Sequence, residues 1–347
     1  MEMSDPDVNE TELMTSSPPA QFVPFISDEE WAIISVVNFT FICGLGCLTG
    51  MVTNVINIVV FAKQGFHDSM NVSLMGLAVS DLGSLVTTFW MSICFNPLFI
   101  AADLPIDVKE VMNTLGGRPH IIFARITSFI TAFITFERCL CISLPLKVKM
   151  IITPRRTKII IIFIFILMFS YPPLYVGNRL EWVFDSSRNA TILTVEFNEE
   201  VIKIEPVAFF LYGVTFSLLS FVFVICCTIV LVVKLNTKTK WRQATAAKGA
   251  SAPEGVGVKD KKVVKMVTFI SSIFIVCFGP SSLMFVVMAL EPRFRLNGAF
   301  TNLYMTLWSA SFILETVNSS VNMFVYLTMS SKYRAVFMKT FLGREEK

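Results

Sequence analysis

Seven long apolar runs constrain this chain more than any other feature. They cover approximately residues 32–62, 69–95, 119–142, 157–178, 206–235, 262–290 and 299–328. A hydrocarbon core about 30 Å thick takes about 20 helical residues, and each run reaches that length. The first, fifth and sixth are long enough to tilt or to project beyond a bilayer. A closed barrel is excluded because the runs are too long and do not alternate with period two. Hydrophobic residues make up 54% of the chain and charged residues 16%, against about 25% charged in soluble domains. That balance excludes a soluble enzyme, a nucleic-acid binder, a disordered tail and a secreted disulfide scaffold. The sequence therefore predicts an all-α membrane protein, a seven-transmembrane helix bundle.

Lys and Arg set the expected orientation, because they stay on the cytoplasmic side. Of the 29 Lys and Arg, 21 fall in the segments around 63, 138–158, 234–265 and after 328. Seven lie in the alternate segments (Lys109, Arg118, Arg179, Arg188, Lys203, Arg293 and Arg295), and Arg125 lies within the third run. This asymmetry places the N-terminus outside and the C-terminus inside, in the plasma membrane. Residues 1–30 hold eight acids and no base, unlike a cleavable signal peptide, so the first run is expected to serve as a signal anchor. Sequons at Asn9 and Asn189 fall on the expected outer side as glycosylation candidates. Those at Asn38, Asn71 and Asn318 fall inside spans.

The organisation follows from these runs: an acidic extracellular segment 1–31, a bundle over 32–328, a mobile third cytoplasmic loop at 236–260 and a tail at 329–347. In the tail, Tyr333, Val336, Phe337 and Phe341 recur at helical spacing among Lys332, Arg334 and Lys339, which suits a short amphipathic helix on the inner interface. No cysteine spacing suggests zinc. Cys94, near the outer side, has no evident partner there, so no structural disulfide is expected.

Charges inside a span are costly and persist where they face a bundle interior. Asp81 lies near mid-span with Asn54, Thr127, Asn318, Ser319 and Asn322 available as polar companions. Such a set either hydrates a cation or knits helices together without ion traffic. Arg125 and Glu315 lie in the outer halves of the third and seventh spans; they either pair with each other or one of them meets a charged ligand group. His120 stands over a turn above Arg125. At the inner end of the third span, Arg138 has Glu137 and Asp260 as possible acceptors, a clasp that opens if the sixth span swings outward. Pro280 removes a backbone hydrogen bond from the sixth span and kinks it. Asn322 and Tyr326 continue a polar stripe on the seventh, aimed at the bundle centre and toward Arg138.

Asn54, the Leu77-Ala78-x-x-Asp81 run, Glu137-Arg138-Cys139, Cys277-Phe278-Gly279-Pro280 and Asn322 through Tyr326 together resemble the rhodopsin-like (class A) G-protein-coupled receptors. The signals fall in the family's order on spans 1, 2, 3, 6 and 7. The resemblance implies an activation switch of Glu137, Arg138, Asp260, Pro280, Asn322 and Tyr326. It implies G-protein contact through Arg138, Pro145, Leu146, Lys261, Lys262 and Lys265, and a sodium site at Asp81, Thr127, Asn318 and Ser319. Several features depart from the family pattern. The cysteine at the outer start of span 3 is missing, span 4 has no tryptophan, Phe278 replaces a tryptophan and Met323 replaces a proline. The branch is divergent, similar to invertebrate peptide or chemosensory receptors.

The resulting expectation is a receptor that binds an extracellular peptide or small molecule through His120, Arg125, Tyr212, Phe278, Trp308, Phe312 and Glu315. It then activates a heterotrimeric G protein, with arrestin as a further partner. No cofactor is expected beyond a sodium ion, and neither a metal site nor covalent chemistry is implied. The acidic outer face leans toward a cationic or amidated peptide, while Arg125 leans toward a carboxylate. The alternative is an ion- or proton-coupled transporter using Asp81, Arg125 and Glu315; the internal repeats and matching broken helices of such carriers are not found.

Overall fold

The computed structural model describes residues 25–144, 147–171, 178–246, 256–291, 293–294 and 298–344. Asn9, Pro145 and Leu146, and the side chains of Asp260 and Lys261, lie outside the described residues. The seven runs become α1 (Asp28–Gln64), α2 (Ser69–Cys94), α3 (Val108–Ser143), α4 (Pro154–Phe169), α5 (Lys203–Thr237, within helix from Glu199 to Ala246), α6 (Val256–Leu290) and α7 (Thr301–Met329). Helix α8 (Ser331–Phe341) follows.

Local chemistry explains most boundaries. Ser27 accepts from Glu30 N while the Glu30 carboxylate accepts from Ser27 N at 2.8 Å, a capping box that starts α1. Asp68, Asp107, Thr153 and Ser330 cap α2, α3, α4 and α8 with side-chain oxygens, each satisfying an amide that the helix cannot. Helix α4 ends at Phe169, earlier than the expected 178. Tyr171 precedes Pro172, and the residue before a proline is pushed out of helical backbone. Helix α3 starts earlier than expected. The chain passes through Asn113–Gly117 in a π-helical turn and continues as α-helix from Arg118, with Pro119 in its first turn. Further π-helical stretches occur at Val36–Cys43 and Phe209–Thr215. Around the expected mobile loop 236–260, α5 continues to Ala246 and α6 begins at Val256. The Lys, Gln, Arg and Ala content of that end of α5 favours helix.

Between α4 and α5 stands a β-hairpin that the apolar runs do not reveal. Strands β1 (Asn178–Asp185) and β2 (Ala190–Phe197) pair antiparallel, Trp182 opposite Leu193. At its tip Ser187 donates to Asp185 Oδ1 through both Oγ (2.7 Å) and N (2.8 Å), which holds the Asp185 carboxyl below its usual range. Asn189 takes a positive φ of 48° in this turn and is exposed. The hairpin is anchored by backbone to the segment entering α3: Asp107 N donates to Leu193 O and Leu193 N to Pro105 O, both at 2.8 Å. Thr194 Oγ1 adds a bond to Asp107 Oδ2 at 3.3 Å. All eight cysteines are free, so these strand-type hydrogen bonds tie loop to helix where a disulfide is lacking.

The main apolar core draws on all seven helices and the start of α8, with Ile126, Ile130, Val267 and Leu231 fully buried. Among the described residues, five helices (α1, α2, α3, α5 and α6) are long and apolar enough by themselves to cross a membrane. Helix α7 is more polar because its inward face carries Asn318, Ser319 and Asn322, all buried. Two in-span sequon residues are committed to helix contacts: Asn38 donates to Ser309 Oγ at 2.8 Å and Asn71 to Phe61 O at 3.0 Å.

Candidate functional site

The hairpin end of the bundle holds a cavity of about 820 Å³. It descends from Asp103, Leu104 and Arg188 to a floor of Ala124, Arg125 and Glu315. Its walls are aromatic: Phe39, Phe209, Phe285, Tyr304, Trp308 and Phe312. Five sequence candidates line it: His120, Arg125, Trp308, Phe312 and Glu315. The π-helical turns of α3 and α5 border it through Asn113, Gly117 and Phe209.

Tyr212 and Phe278 do not line it. Tyr212 bonds Ser170 Oγ at 2.9 Å and packs against Tyr171 on the α4 side. The π-helical stretch Phe209–Thr215 carries an extra residue per turn, and one residue rotates the following side chains by about 100°. Phe209 takes the cavity position instead. Phe278 stacks on Phe274 at 4.5 Å, in a cluster with Ala124 and Cys277. Because Ala124 also lines the cavity, Phe278 forms the layer beneath the floor.

Arg125 and Glu315 do not form an ion pair. Glu315 Oε2 is 3.0 Å from His120 Nε2. His120 Nδ1 in turn lies 3.0 Å from Thr88 Oγ1, with Ser84 Oγ a longer neighbour at 3.4 Å. The Thr88 hydroxyl donates to Ser84 O at 2.9 Å, so toward His120 it acts as an acceptor. Arg125 is 3% exposed, its guanidinium lies 5.7 Å over the Phe285 ring, and its Nε and Nη1 have no hydrogen-bond partner among the described residues. Thr88 and Phe285 were invisible as site residues in the sequence. A threonine in an apolar helix and one phenylalanine among 33 carry no positional signal.

Below the cavity, Asp81 is fully buried. Its Oδ1 accepts from Thr127 Oγ1 at 2.9 Å and Ser319 Oγ at 3.2 Å; its Oδ2 accepts from Asn322 Nδ2 at 2.8 Å. Helices α2, α3 and α7 thus meet at one carboxylate. Asn318 is buried beside Ser319 on α7. Asn322 is spent on Asp81 and does not point to Arg138, as the sequence suggested: the bundle brings α2 within reach of α7 first. Tyr326 packs edge-on against Phe61 at 5.3 Å and near Tyr333 at 5.4 Å. Tyr333 reaches back from α8 and donates to Asn57 Oδ1 at 2.6 Å, a polar link that reading Tyr333 as an apolar-face residue misses.

At the far end, Arg138 Nη2 donates to Glu137 Oε1 at 2.8 Å. Ser69 Oγ of α2 donates to the same oxygen. Glu137 is 1% exposed. Lys262 and Lys265 line a smaller cleft with Thr328, Met329, Ser331 and Arg334. Helix α6 runs unbroken through Pro280, with Ser281 Oγ donating to Phe278 O at 3.1 Å in the same turn.

The bundle is matched over residues 53–326 by the family model described as 7 transmembrane receptor (rhodopsin family). The chain is 22% identical over 313 residues to the Histamine H2 receptor of Cavia porcellus, covering 85% of this chain and 77% of that one. It is 23% identical over 317 residues to the Galanin-like G-protein coupled receptor npr-9 of Caenorhabditis elegans, covering 84% and 70%. Growth hormone secretagogue receptor type 1 of Rattus norvegicus is 26% identical over 282 residues, covering 76% and 74%.

Proposed function

Because the chain belongs to the rhodopsin family of seven-transmembrane receptors, we propose that the cavity binds an extracellular ligand and that the opposite face activates a heterotrimeric G protein. The observation that carries this reading is continuity along two helices. Helix α3 bears Arg125 on the cavity floor, Thr127 on the Asp81 carboxylate and Arg138 at the far end. Helix α7 bears Trp308 and Glu315 on the cavity, then Ser319 and Asn322 on Asp81. A ligand that prefers one arrangement of these helices shifts the population toward it. In this reading the basic cleft with Lys262 and Lys265 receives the G protein. Trp308→Ala is expected to weaken ligand-driven guanine-nucleotide exchange by about tenfold or more, the usual scale for a buried aromatic anchor. An unchanged concentration dependence at equal surface level removes the cavity from the proposal.

The proposed setting is the plasma membrane, with the N-terminus and hairpin outside. Asn189 then carries glycan, since it is exposed at the hairpin tip. Glycosidase treatment of the Asn9→Gln variant is expected to increase gel mobility, and further Asn189→Gln substitution to abolish the change. No shift in the Asn9→Gln variant counts against a glycosylated hairpin on the outside. Asp81 is the proposed sodium site. Among the described residues its carboxylate has only neutral donors as partners, and the Thr127 and Ser319 hydroxyls supply oxygens of the hard kind that small cations take.

A further inference from the structure

Arg125 is the group in the cavity with the least explained chemistry. A guanidinium cannot lose its charge in a protein, and buried charges are ordinarily paired and hydrogen-bonded. This one is buried at the cavity floor, with Nε and Nη1 unbonded and the Phe285 face as its neighbour. Phe285 addresses the cation from its ring face and accepts no in-plane N–H bond. Glu315, on the same cavity lining, is engaged by His120 at 3.0 Å.

The hydrogen bonds around His120 show what Glu315 is engaged with instead of Arg125. Thr88 presents an acceptor to Nδ1, because its own proton goes to Ser84 O. Through Nε2 the same ring holds the Glu315 carboxyl. The Arg125 guanidinium is left on the cavity floor with its Nε and Nη1 groups unspent among the described residues.

We infer that the ligand enters acid-first and places a single carboxylate on the Arg125 guanidinium, with an apolar or aromatic body against Phe285, Trp308 and Phe312. Arg is the side chain whose fork matches a carboxylate. A phosphate, with charge of about −1.5 to −2 at neutral pH, fits the rim less well. Asp103, Asp107 and Glu110 stand there against Lys109 and Arg188, a net negative mouth that disfavours a second negative charge on the ligand. The carboxylate belongs either to the C-terminus of a peptide or to a small organic acid. This inference rests on the cavity being the ligand site of the proposed receptor.

The test uses the full chain purified into lipid nanodiscs and thermal unfolding as the readout, so it needs no G protein. One arm titrates 3-phenylpropionate, 4-phenylbutyrate and indole-3-propionate against their primary amides. The other titrates N-acetyl dipeptides ending in Phe, Leu or Trp as free acids and as C-terminal amides. In at least one arm the acid is expected to raise the melting temperature, with the amide about tenfold weaker or more, a factor equal to about 1.4 kcal/mol. The arm that responds names the source. Arg125→Gln is expected to erase the difference and Arg125→Lys to retain part of it. If no acid outperforms its amide in wild-type protein, or if Arg125→Gln keeps the acid preference, the inference is overturned. The wild-type comparison decides even if the variants fail to fold. Guanine-nucleotide exchange measured separately distinguishes this failure from failure of the receptor reading.

Discussion

Replacing Asp81 with alanine is expected to be the most damaging single substitution in the bundle. Three buried donors from α3 and α7 share this acceptor, and each orphaned donor costs about 1–3 kcal/mol. Removing a buried carboxylate that has no cationic partner returns part of that loss, since its desolvation disappears. Thr127 can turn to Ser80 Oγ at 2.9 Å, but the donors still outweigh this relief, because Ser319 and Asn322 are buried against the carboxylate they lose. The net loss is expected at roughly 2–4 kcal/mol, from two orphaned donors less that relief. Asp81→Asn separates the two effects, keeping the shape and one acceptor oxygen without the charge. Melting curves in sodium chloride and in choline chloride provide the measurement. Wild type should melt higher in sodium and both variants should lose that difference. An alanine variant that melts with wild type, in either salt, contradicts the assignment of Asp81 as the junction of the bundle.

Glu137→Gln is expected to raise basal guanine-nucleotide exchange by about 5- to 150-fold, the range set by a bias of 1–3 kcal/mol between two states. Glu137 Oε1 holds both Arg138 and Ser69, so one carboxylate joins the end of α3 to the start of α2. A neutral amide weakens both contacts and leaves Arg138, which is 15% exposed along its side chain, free to turn toward the cleft. Arg138→Ala is expected to lose ligand-driven exchange altogether. Basal exchange equal to wild type in the glutamine variant, at equal surface level, argues that the pair is only an anchor.

Much of the membrane architecture was legible because it follows from solvent, not from contacts. Lipid hides no unpaired backbone, so an apolar run of sufficient length has to be helical. Charges such as Asp81, Arg125, Glu137 and Glu315 had to face inward. The β-hairpin was not legible in the same way. Its strands alternate too briefly, and the backbone bonds that anchor them come from Pro105 and Asp107 at the entry to α3, far away in the sequence. The switch from α- to π-helical turns at Phe209–Thr215 was also hidden, since no residue there advertises it, and it moved Tyr212 away from the cavity and brought Phe209 in.

The site divides along the same line. Residue type established which groups are expensive to bury: one guanidinium, two carboxylates and an imidazole among the helices around the cavity and the Asp81 cluster. Tertiary structure decided who meets whom. Sequence left Glu315 free to take Arg125, but the α2–α3–α7 packing presented His120, already oriented by Thr88, at 3.0 Å. It turned Asn322 to Asp81 and sent Tyr333 back to Asn57. Hydropathy is a property of each residue and sums along the chain, so sequence alone determined the spans. A hydrogen bond depends on the relative rotation of two helices to within an ångström, and only the packed bundle supplies that.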